Sequence, residues 1–227
     1  MKLPIQVFGL AGLCLFVSGV AVQGADGAGG YFKFDAGLAL QQDVRVKELD
    51  GMPVANIVPG ATVSDVKLTF DPGFRFDLGG GYNFNDAVAL GVETGMIYNS
   101  VDRIKFKFVN SSGPGSASIP FPTDVNFFQI PILATLVYTL PLRSQFRPFV
   151  GGGAGGVASI FQGPDINTES EFNFAYQGMA GFAFAINPKL DIGVTYKFLG
   201  STDHKFDSIK TGETYSHSIL ATFNFKF

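Results

Sequence analysis

The chain has 227 residues, of which 46% are apolar and only 15% are charged, and its formal net charge at neutral pH is −3. Soluble domains carry about 25% charged residues, so we expect much of this surface to face something less polar than water. The mild negative charge argues against nucleic acid as a partner. Beyond the N-terminus there is no run of about 18 apolar residues, which excludes membrane-spanning helices.

The N-terminus has the pattern of a secretory signal peptide over residues 1–24. Lys2 precedes an apolar stretch from Ile5 to Val22, which ends in small residues. An uncleaved anchor helix is the alternative, but the stretch is barely long enough and is interrupted by glycines. The only cysteine, Cys14, lies inside it, and its preceding residues do not fit a lipoprotein cleavage site. We therefore expect neither a lipid anchor nor disulfides, and one domain over residues 25–227.

Eight stretches of this domain repeat with the period of two that is typical of β-strands, although the fourth is apolar on both faces. In chain order they cover about 32–41, 74–84, 88–98, 125–140, 147–161, 172–186, 190–198 and 215–227. The last is the most regular, with Phe223, Phe225 and Phe227 on its apolar face. The fifth is rich in glycine, so which of its faces points outward stays open.

The connections between these stretches alternate between long and short. The long ones span about 42–73, 99–124, 162–171 and 200–214, and the short ones lie at 85–86, 141–146 and 187–188. Long loops at one end and short turns at the other are typical of outer-membrane barrels. A closed barrel is also the only β-structure that satisfies its backbone in lipid. The sequence therefore predicts an all-β fold, an eight-stranded antiparallel transmembrane barrel.

Alternation alone does not say which face looks outward, and a soluble lipocalin-like barrel would turn its aromatic face inside. The interior of an eight-stranded barrel holds only side chains or one small ligand, whereas the apolar face here carries most of the 25 phenylalanines. We therefore predict that this face meets lipid. The lumen then receives four cations and four anions: Lys33, Arg75, Lys197, Lys226, Asp35, Asp77, Glu93 and Asp191. Such a paired network either plugs the barrel or gates a small pore.

The chain contains Gln129-Ile-Pro131, then Tyr138, then Phe146-Arg-Pro148-Phe149-Val-Gly151-Gly-Gly153-Ala-Gly155. Together these residues resemble the eight-stranded outer-membrane barrel superfamily of OmpA/OmpX-like and opacity-type, porin-like proteins. The resemblance implies the bacterial outer membrane, with lipid and lipopolysaccharide as surroundings. Phe223, Phe225 and Phe227 resemble the signal read by the barrel assembly machinery. Because tryptophan is absent, an interfacial girdle must use Tyr and Phe, for instance Tyr31.

The resemblance says little about activity. The leading interpretation is a non-enzymatic protein that contributes to envelope integrity or surface interaction through its loops, acting as a monomer without cofactor or metal. A narrow passive channel for small or apolar solutes is the alternative. A lipid A-modifying enzyme is a distant third, because some such barrels use His with Ser and an acid. Here His204, Asp207 and Ser208 share the last long connection, and His217 lies on the lipid-facing side.

One long connection has a pattern of its own. Between residues 101 and 110 the basic residues Arg103, Lys105 and Lys107 alternate with apolar ones, which predicts a strand pair that continues beyond the membrane. These cations are suited to lipopolysaccharide phosphates. The alternative is an ordinary solvated face of a hairpin.

Overall fold

A computed structural model of the protein describes residues 28–49, 52–53, 62–110, 113–120, 125–163, 166–203 and 209–227. The predicted signal peptide lies outside these residues and stays a prediction. The regular elements are the strands β1 Gly29–Gln41, β2 Val44–Leu49, β3 Met52–Pro53, β4 Thr62–Phe70, β5 Gly73–Asn83, β6 Val88–Asn110, β7 Gly113–Pro120, β8 Asn126–Thr139, β9 Phe146–Gly163, β10 Ile166–Asn187, β11 Leu190–Ser201, β12 Ile209–Thr211 and β13 Thr214–Lys226. No helix in the described ranges is long and apolar enough to cross a membrane.

Eight strands close an antiparallel ring in the order β1, β5, β6, β8, β9, β10, β11 and β13. The ring closes between β13 and β1, which pair from Tyr31 opposite Lys226 to Gln41 opposite Ser216. All eight predicted strands belong to this ring, so the predicted barrel is confirmed.

Short turns join β5 to β6, β8 to β9 and β10 to β11, and we call this the turn end of the ring and the opposite one the loop end. Asparagine side chains build two of these turns. The Asn85 carboxamide oxygen accepts hydrogen bonds from the backbone N–H groups of Ala87 and Val88, both at 2.8 Å. Asn187 accepts one from the Lys189 N–H, also at 2.8 Å.

Large apolar side chains cover the outside of the ring. Leu38 and Phe172 are each 65% exposed and Ile219 is 61% exposed, whereas their sequence neighbours point inside. The glycine-rich strand follows the same rule, since β9 turns Val150 outward and buries Val157. Its glycines at 151, 153 and 155 lie on the inner face, where a side chain at Gly155 would overlap the Ile132 carbonyl.

Further strands extend the sheet beyond the loop end. On the loop-end half of β6, β4 pairs along one edge and β7 along the other. The predicted hairpin over 101–110 is therefore present, and Gly113 enters β7 with a φ of +114°, a conformation that favours glycine. The strands β2, β4 and β12 lie in segments that we expected to be loops. They enclose a separate apolar cluster, the outer core: Val46, Val63, Val66, Leu68, Val101 and Val125.

Aromatic side chains ring the barrel wall, but one predicted member of the girdle is wrong. Tyr31 is only 8% exposed, because it shares the period-two face of Lys33 and Asp35 and therefore points into the lumen. Near the loop end, Phe198 stacks on Tyr215 with ring centroids 5.8 Å apart. Tyr138 is exposed on the outer wall.

Candidate functional site

Six of the predicted lumen charges meet in one buried group, which we call the central cluster: Lys33, Asp35, Arg75, Asp77, Glu93 and Lys197. Strands β1, β5, β6 and β11 supply them from different sides of the ring. Lys197 is at the centre, since its Nζ lies 2.7 Å from a carboxylate oxygen of each of the three acids. Three cations thus face three anions.

Arg75 connects the central cluster to Gln177, a residue that was not predicted from the sequence. Its Nε donates to Asp77 at 2.8 Å, and its Nη2 donates to the Gln177 side-chain oxygen at 2.5 Å. The Gln177 amide in turn donates to Glu93 at 2.9 Å, and Lys33 contacts Glu93 at 2.9 Å. The signal for Gln177 was its period-two position on β10, opposite the lipid-facing phenylalanines.

Three carboxylates that converge in this way also have the composition of a cation site. Oxygens of Asp35, Asp77 and Glu93 lie within 4.8 Å of one another. The Lys197 ammonium, however, contacts all three, and together with Lys33 and Arg75 it supplies the positive charge that a metal ion would bring. The donor set therefore fits an ion-pair network better than a metal site. Buried charges of this kind are stable only when each partner is present.

The other two predicted lumen charges, Asp191 and Lys226, lie apart from the cluster, near the turn end. They form a close ion pair with each other. Arg147 approaches the same Asp191 carboxylate, with Nη1 at 3.8 Å. Arg147 was absent from the predicted set because the facing of β9 was open.

An apolar layer lies directly beyond the central cluster, on the side of the loop end. We call it the apolar layer, and its members are Ala39, Ile97, Leu133, Val157, Ala175 and Leu199. The strands β1, β6 and β11 run toward the loop end. On them Ala39, Ile97 and Leu199 come two to four positions after the last residue of the central cluster. Polar contacts follow, such as Gln129 to Thr214 at 3.2 Å, and then the outer core. Successive layers therefore fill the lumen from the central cluster toward the loop end.

The predicted basic residues Arg103, Lys105 and Lys107 are exposed on β6, while Ile104 and Phe106 pack against the outer core. Neighbouring strands add further cations to this face. In the sheet register Arg45 pairs with Lys67, and Lys67 pairs with Lys105. We call this surface the basic face, and its cations are Arg45, Lys67, Arg103, Lys105 and Lys107.

Carboxylates of the described residues pair with several of these cations. Asp65 contacts Arg45 at 3.0 Å and Lys67 at 3.7 Å. The Arg103 guanidinium donates hydrogen bonds to the adjacent Asp102, and this holds the pKa of the Asp102 carboxyl below its ordinary value. Asp43 lies 3.7 Å from Lys105, so the contacts given for the described residues place three acids beside these five cations. Like charges placed directly opposite on a sheet repel, so the row is suited to an external anion.

The contacts of His217 within the described residues are with a tyrosine and a glutamine. Its Nδ1 lies 2.7 Å from the Tyr196 hydroxyl, and its Nε2 lies 2.6 Å from the Gln42 amide nitrogen. Neither contact involves a serine or a carboxylate. The other candidate group, His204 with Asp207 and Ser208, lies outside the described residues.

The three predicted assembly residues follow the lipid-facing side of β13 toward the turn end. Phe225 is 45% exposed and Phe227 is 73% exposed. The Phe227 N–H donates to the Gly30 carbonyl at 2.9 Å, which continues the closing pair of the ring past its last ladder position.

Comparison with known families agrees with this geometry. Residues 12–227 match the model of the outer membrane protein β-barrel domain. The chain therefore belongs to this family, and its place is the bacterial outer membrane. No curated protein is similar enough in sequence to count as a relative.

Several solved structures are similar to this chain. Neisserial surface protein A superposes with a TM-score of 0.54 at 17% identity, covering 89% of this chain and 100% of that one. OprG from Pseudomonas aeruginosa gives 0.46 at 17% identity, covering 88% and 98%. Ail of Yersinia pestis, in complex with the heparin analogue sucrose octasulfate, gives 0.41 at 18% identity, covering 87% and 99%. At such low identity the likeness to Neisserial surface protein A concerns the fold alone.

Proposed function

We propose that this protein is a sealed, non-enzymatic barrel that contributes to the integrity of the outer membrane. We also propose that it takes part in interactions at the cell surface through its loop end. The observation that carries the proposal is the filled lumen. Lys197 and Arg75, both fully buried, are held by the acids of the central cluster. The apolar layer then closes the path toward the loop end.

A narrow passive channel is the second candidate. It would require the side chains of the central cluster and of the apolar layer to move apart. An ion would have to displace Lys197 from three carboxylates and then cross the apolar layer without water. Both steps cost free energy, because charges leave their partners and polar groups enter apolar surroundings. The sealed barrel therefore has the better support.

The basic face supplies the surface interaction. Short turns of outer-membrane barrels face the periplasm and long loops face outward, so the basic face is next to the outer leaflet. We propose that it contacts the phosphates of neighbouring lipopolysaccharide. Arginine and lysine bind phosphate through charge-assisted hydrogen bonds. The row of Arg45, Lys67 and Lys105 spans three strands and presents several contacts at once.

Titration of the barrel in bicelles with lipopolysaccharide tests this contact. The variant K105Q/K107Q removes two cations of the basic face, and R143Q/K189Q removes two exposed cations at the turn end as the matched control. At about 1 kcal/mol for each basic residue near an anionic surface, we expect the first variant to bind about 10- to 30-fold more weakly. The control should bind as the wild type does.

Dephosphorylated lipopolysaccharide provides the complementary measurement. If phosphate is the group recognised, removing it should weaken binding to the wild type and abolish the difference between the two variants. Equal binding by K105Q/K107Q and the wild type to intact lipopolysaccharide would show that the basic face is only a solvated surface.

Barrel assembly machinery is the partner that we propose during biogenesis, with Phe223, Phe225 and Phe227 as the segment recognised. The lipid-facing exposure of Phe225 and Phe227 supports this role, because an assembly factor can reach these rings before the barrel enters lipid. The mature protein is proposed to act as a monomer without a cofactor.

A further inference from the structure

The outer side of β6 shows where this strand leaves the apolar part of the membrane. Apolar side chains follow its lipid-facing wall from Leu90 to Tyr98, and residues 88–98 have the length of a membrane-spanning strand, about 9–11 residues. The Tyr98 hydroxyl donates to the Asn126 side-chain oxygen at 2.8 Å and lies 3.1 Å from the Ser100 hydroxyl. A tyrosine with an apolar ring and a polar tip is typical of the membrane interface. Tyr98 therefore marks the outer boundary of the apolar band.

The basic face lies well beyond this boundary. Lys105 comes seven residues after Tyr98 on the continuous strand β6, which at about 3.3 Å per residue is about 23 Å along the strand. At the tilt of about 35–45° that barrel strands have, the height is about 16–19 Å. The polar headgroup layer adds only about 5–8 Å on each side of the hydrocarbon core. Lys105 is therefore level with sugars that lie outside the headgroups.

An irregularity in β6 turns the cations away from the barrel axis. Asp102 is skipped in the pairing of β6 with β4, and an extra residue of this kind inverts the alternation of side chains on its far side. Tyr98 and Lys105 differ in parity, yet both lie on the outer side of the sheet, while Ile104 packs against the outer core. The basic face therefore looks sideways, toward the molecules that surround the barrel.

Hydroxyl groups accompany the cations on this face. In the pairing of β6 with β7, Ser118 is opposite Lys105 and Ser116 is opposite Lys107, and both serines are exposed. Residues directly opposite on a sheet share a face, with Cβ atoms about 4.5–5.5 Å apart. The cations can bind phosphate, and the serine hydroxyls can donate to or accept from the hydroxyls of a sugar. This combination is suited to a phosphorylated sugar.

We propose that the basic face binds the phosphorylated core sugars of a neighbouring lipopolysaccharide, which lie outside lipid A. This assignment rests on the proposed function, because it names the phosphates that the basic face recognises. The lipid A phosphates belong to the headgroup layer, whose outer limit is about 8–14 Å below Lys105. A lysine side chain is too short to bridge that distance. The phosphates of the core sugars are the ones at the height of the cations.

Two lipopolysaccharides separate the core phosphates from those of lipid A. Both are titrated against the barrel in bicelles: one has a complete phosphorylated core, and the other keeps lipid A with its phosphates but ends before the phosphorylated core sugars. We expect the wild type to bind the truncated form about 10- to 30-fold more weakly, the loss expected for K105Q/K107Q with the complete form. With the truncated form, the wild type, K105Q/K107Q and the control R143Q/K189Q should bind equally.

The two forms also separate this assignment from the proposed function. Heat-dependent electrophoretic mobility shows that each variant is folded. An equal deficit of K105Q/K107Q with both forms would overturn the assignment to the core sugars and leave a contact with lipopolysaccharide phosphate in place. The absence of a deficit with the complete form would contradict the proposed function itself.

Soluble core oligosaccharide, released from lipid A, is the second probe. It should compete with the complete lipopolysaccharide for the wild type, whereas the same oligosaccharide without its phosphates should not. Failure of the phosphorylated oligosaccharide to compete would overturn the assignment. Equal competition by the dephosphorylated oligosaccharide would also overturn it, because the sugar and not its phosphate would then be recognised.

Discussion

Lys197 on β11 and Asp77 on β5 meet inside the barrel, with Nζ 2.7 Å from Oδ2 and both side chains fully buried. They are 120 residues apart in the chain, so this contact exists only when the ring is closed. Because Lys197 contacts Asp35 and Glu93 equally closely, one ammonium group neutralises part of three carboxylates. The stability of the closed barrel should therefore depend strongly on this residue.

We expect K197M, which keeps the length of the side chain and removes the charge, to lower the free energy of unfolding by about 3–5 kcal/mol, the usual cost of breaking a buried ion pair. Urea unfolding in lipid vesicles, followed by electrophoretic mobility, measures this loss. The control K189M removes an exposed lysine of the turn end and should change stability by about 0.5 kcal/mol or less. Equal stability of K197M and K189M would show that the central cluster does not hold the barrel together.

Charge balance can be restored in a second variant. In K197M/E93Q one anion is removed together with the cation, so the loss of stability should be smaller than the sum of the two single losses. Contacting residues typically couple by about 0.5–3 kcal/mol. Simple additivity in the same unfolding measurement would argue that Lys197 and Glu93 act independently.

Close packing on the inner face of β6 leads to a further prediction. A methyl group at Gly95 would overlap the Phe76 carbonyl and the Asp77 carboxylate, whereas one at Gly178 meets nothing within 4 Å. We expect G95A to cost about 1–3 kcal/mol, as overpacking usually does. G178A on the lipid-facing wall of β10 should be neutral or slightly stabilising. Unfolding curves that coincide for the two variants would contradict this view of the interior.

The eight barrel strands could be predicted because each must alternate between lipid and lumen, and alternation is visible in the sequence. The same rule placed Lys197 and Asp77 inside. It could not show that they touch, because a contact across the ring depends on the registers of all intervening strands. The rule also did not predict that Arg147 points inward. The glycines that follow it on β9 have no side chains, so the sequence does not show which face of this strand is apolar.

The strands β2, β4 and β12, which lie beyond the loop end, could not be predicted, for a different reason. On β4 both Val63 and Val66 are buried, although they differ in parity. The pairing of β4 with β6 shifts register between Val63 and Asp65, and such an irregularity inverts the alternation on its far side. A search for strict period two therefore passes over the segment.

The proposed role of Phe227 in barrel assembly, at the C-terminal end of β13, can also be tested. We expect F227A to lower insertion into the outer membrane while secretion across the inner membrane is unchanged, because the proposed recognition segment loses its last aromatic ring. F84A removes another exposed phenylalanine, at the first short turn, and should insert normally. Quantitative blots of outer-membrane and periplasmic fractions measure both steps. Normal insertion of F227A would contradict the assembly role of Phe227.

The sealed lumen is tested most directly by recording ionic current across planar bilayers that contain the purified protein. Incorporation is checked by protein recovery from the same membranes, and a known porin serves as the conducting control. Because the central cluster and the apolar layer fill the path, we predict a flat trace for the wild type over the whole range of applied voltage. Reproducible discrete conductance steps from the folded wild-type barrel would contradict a sealed lumen and favour the narrow channel.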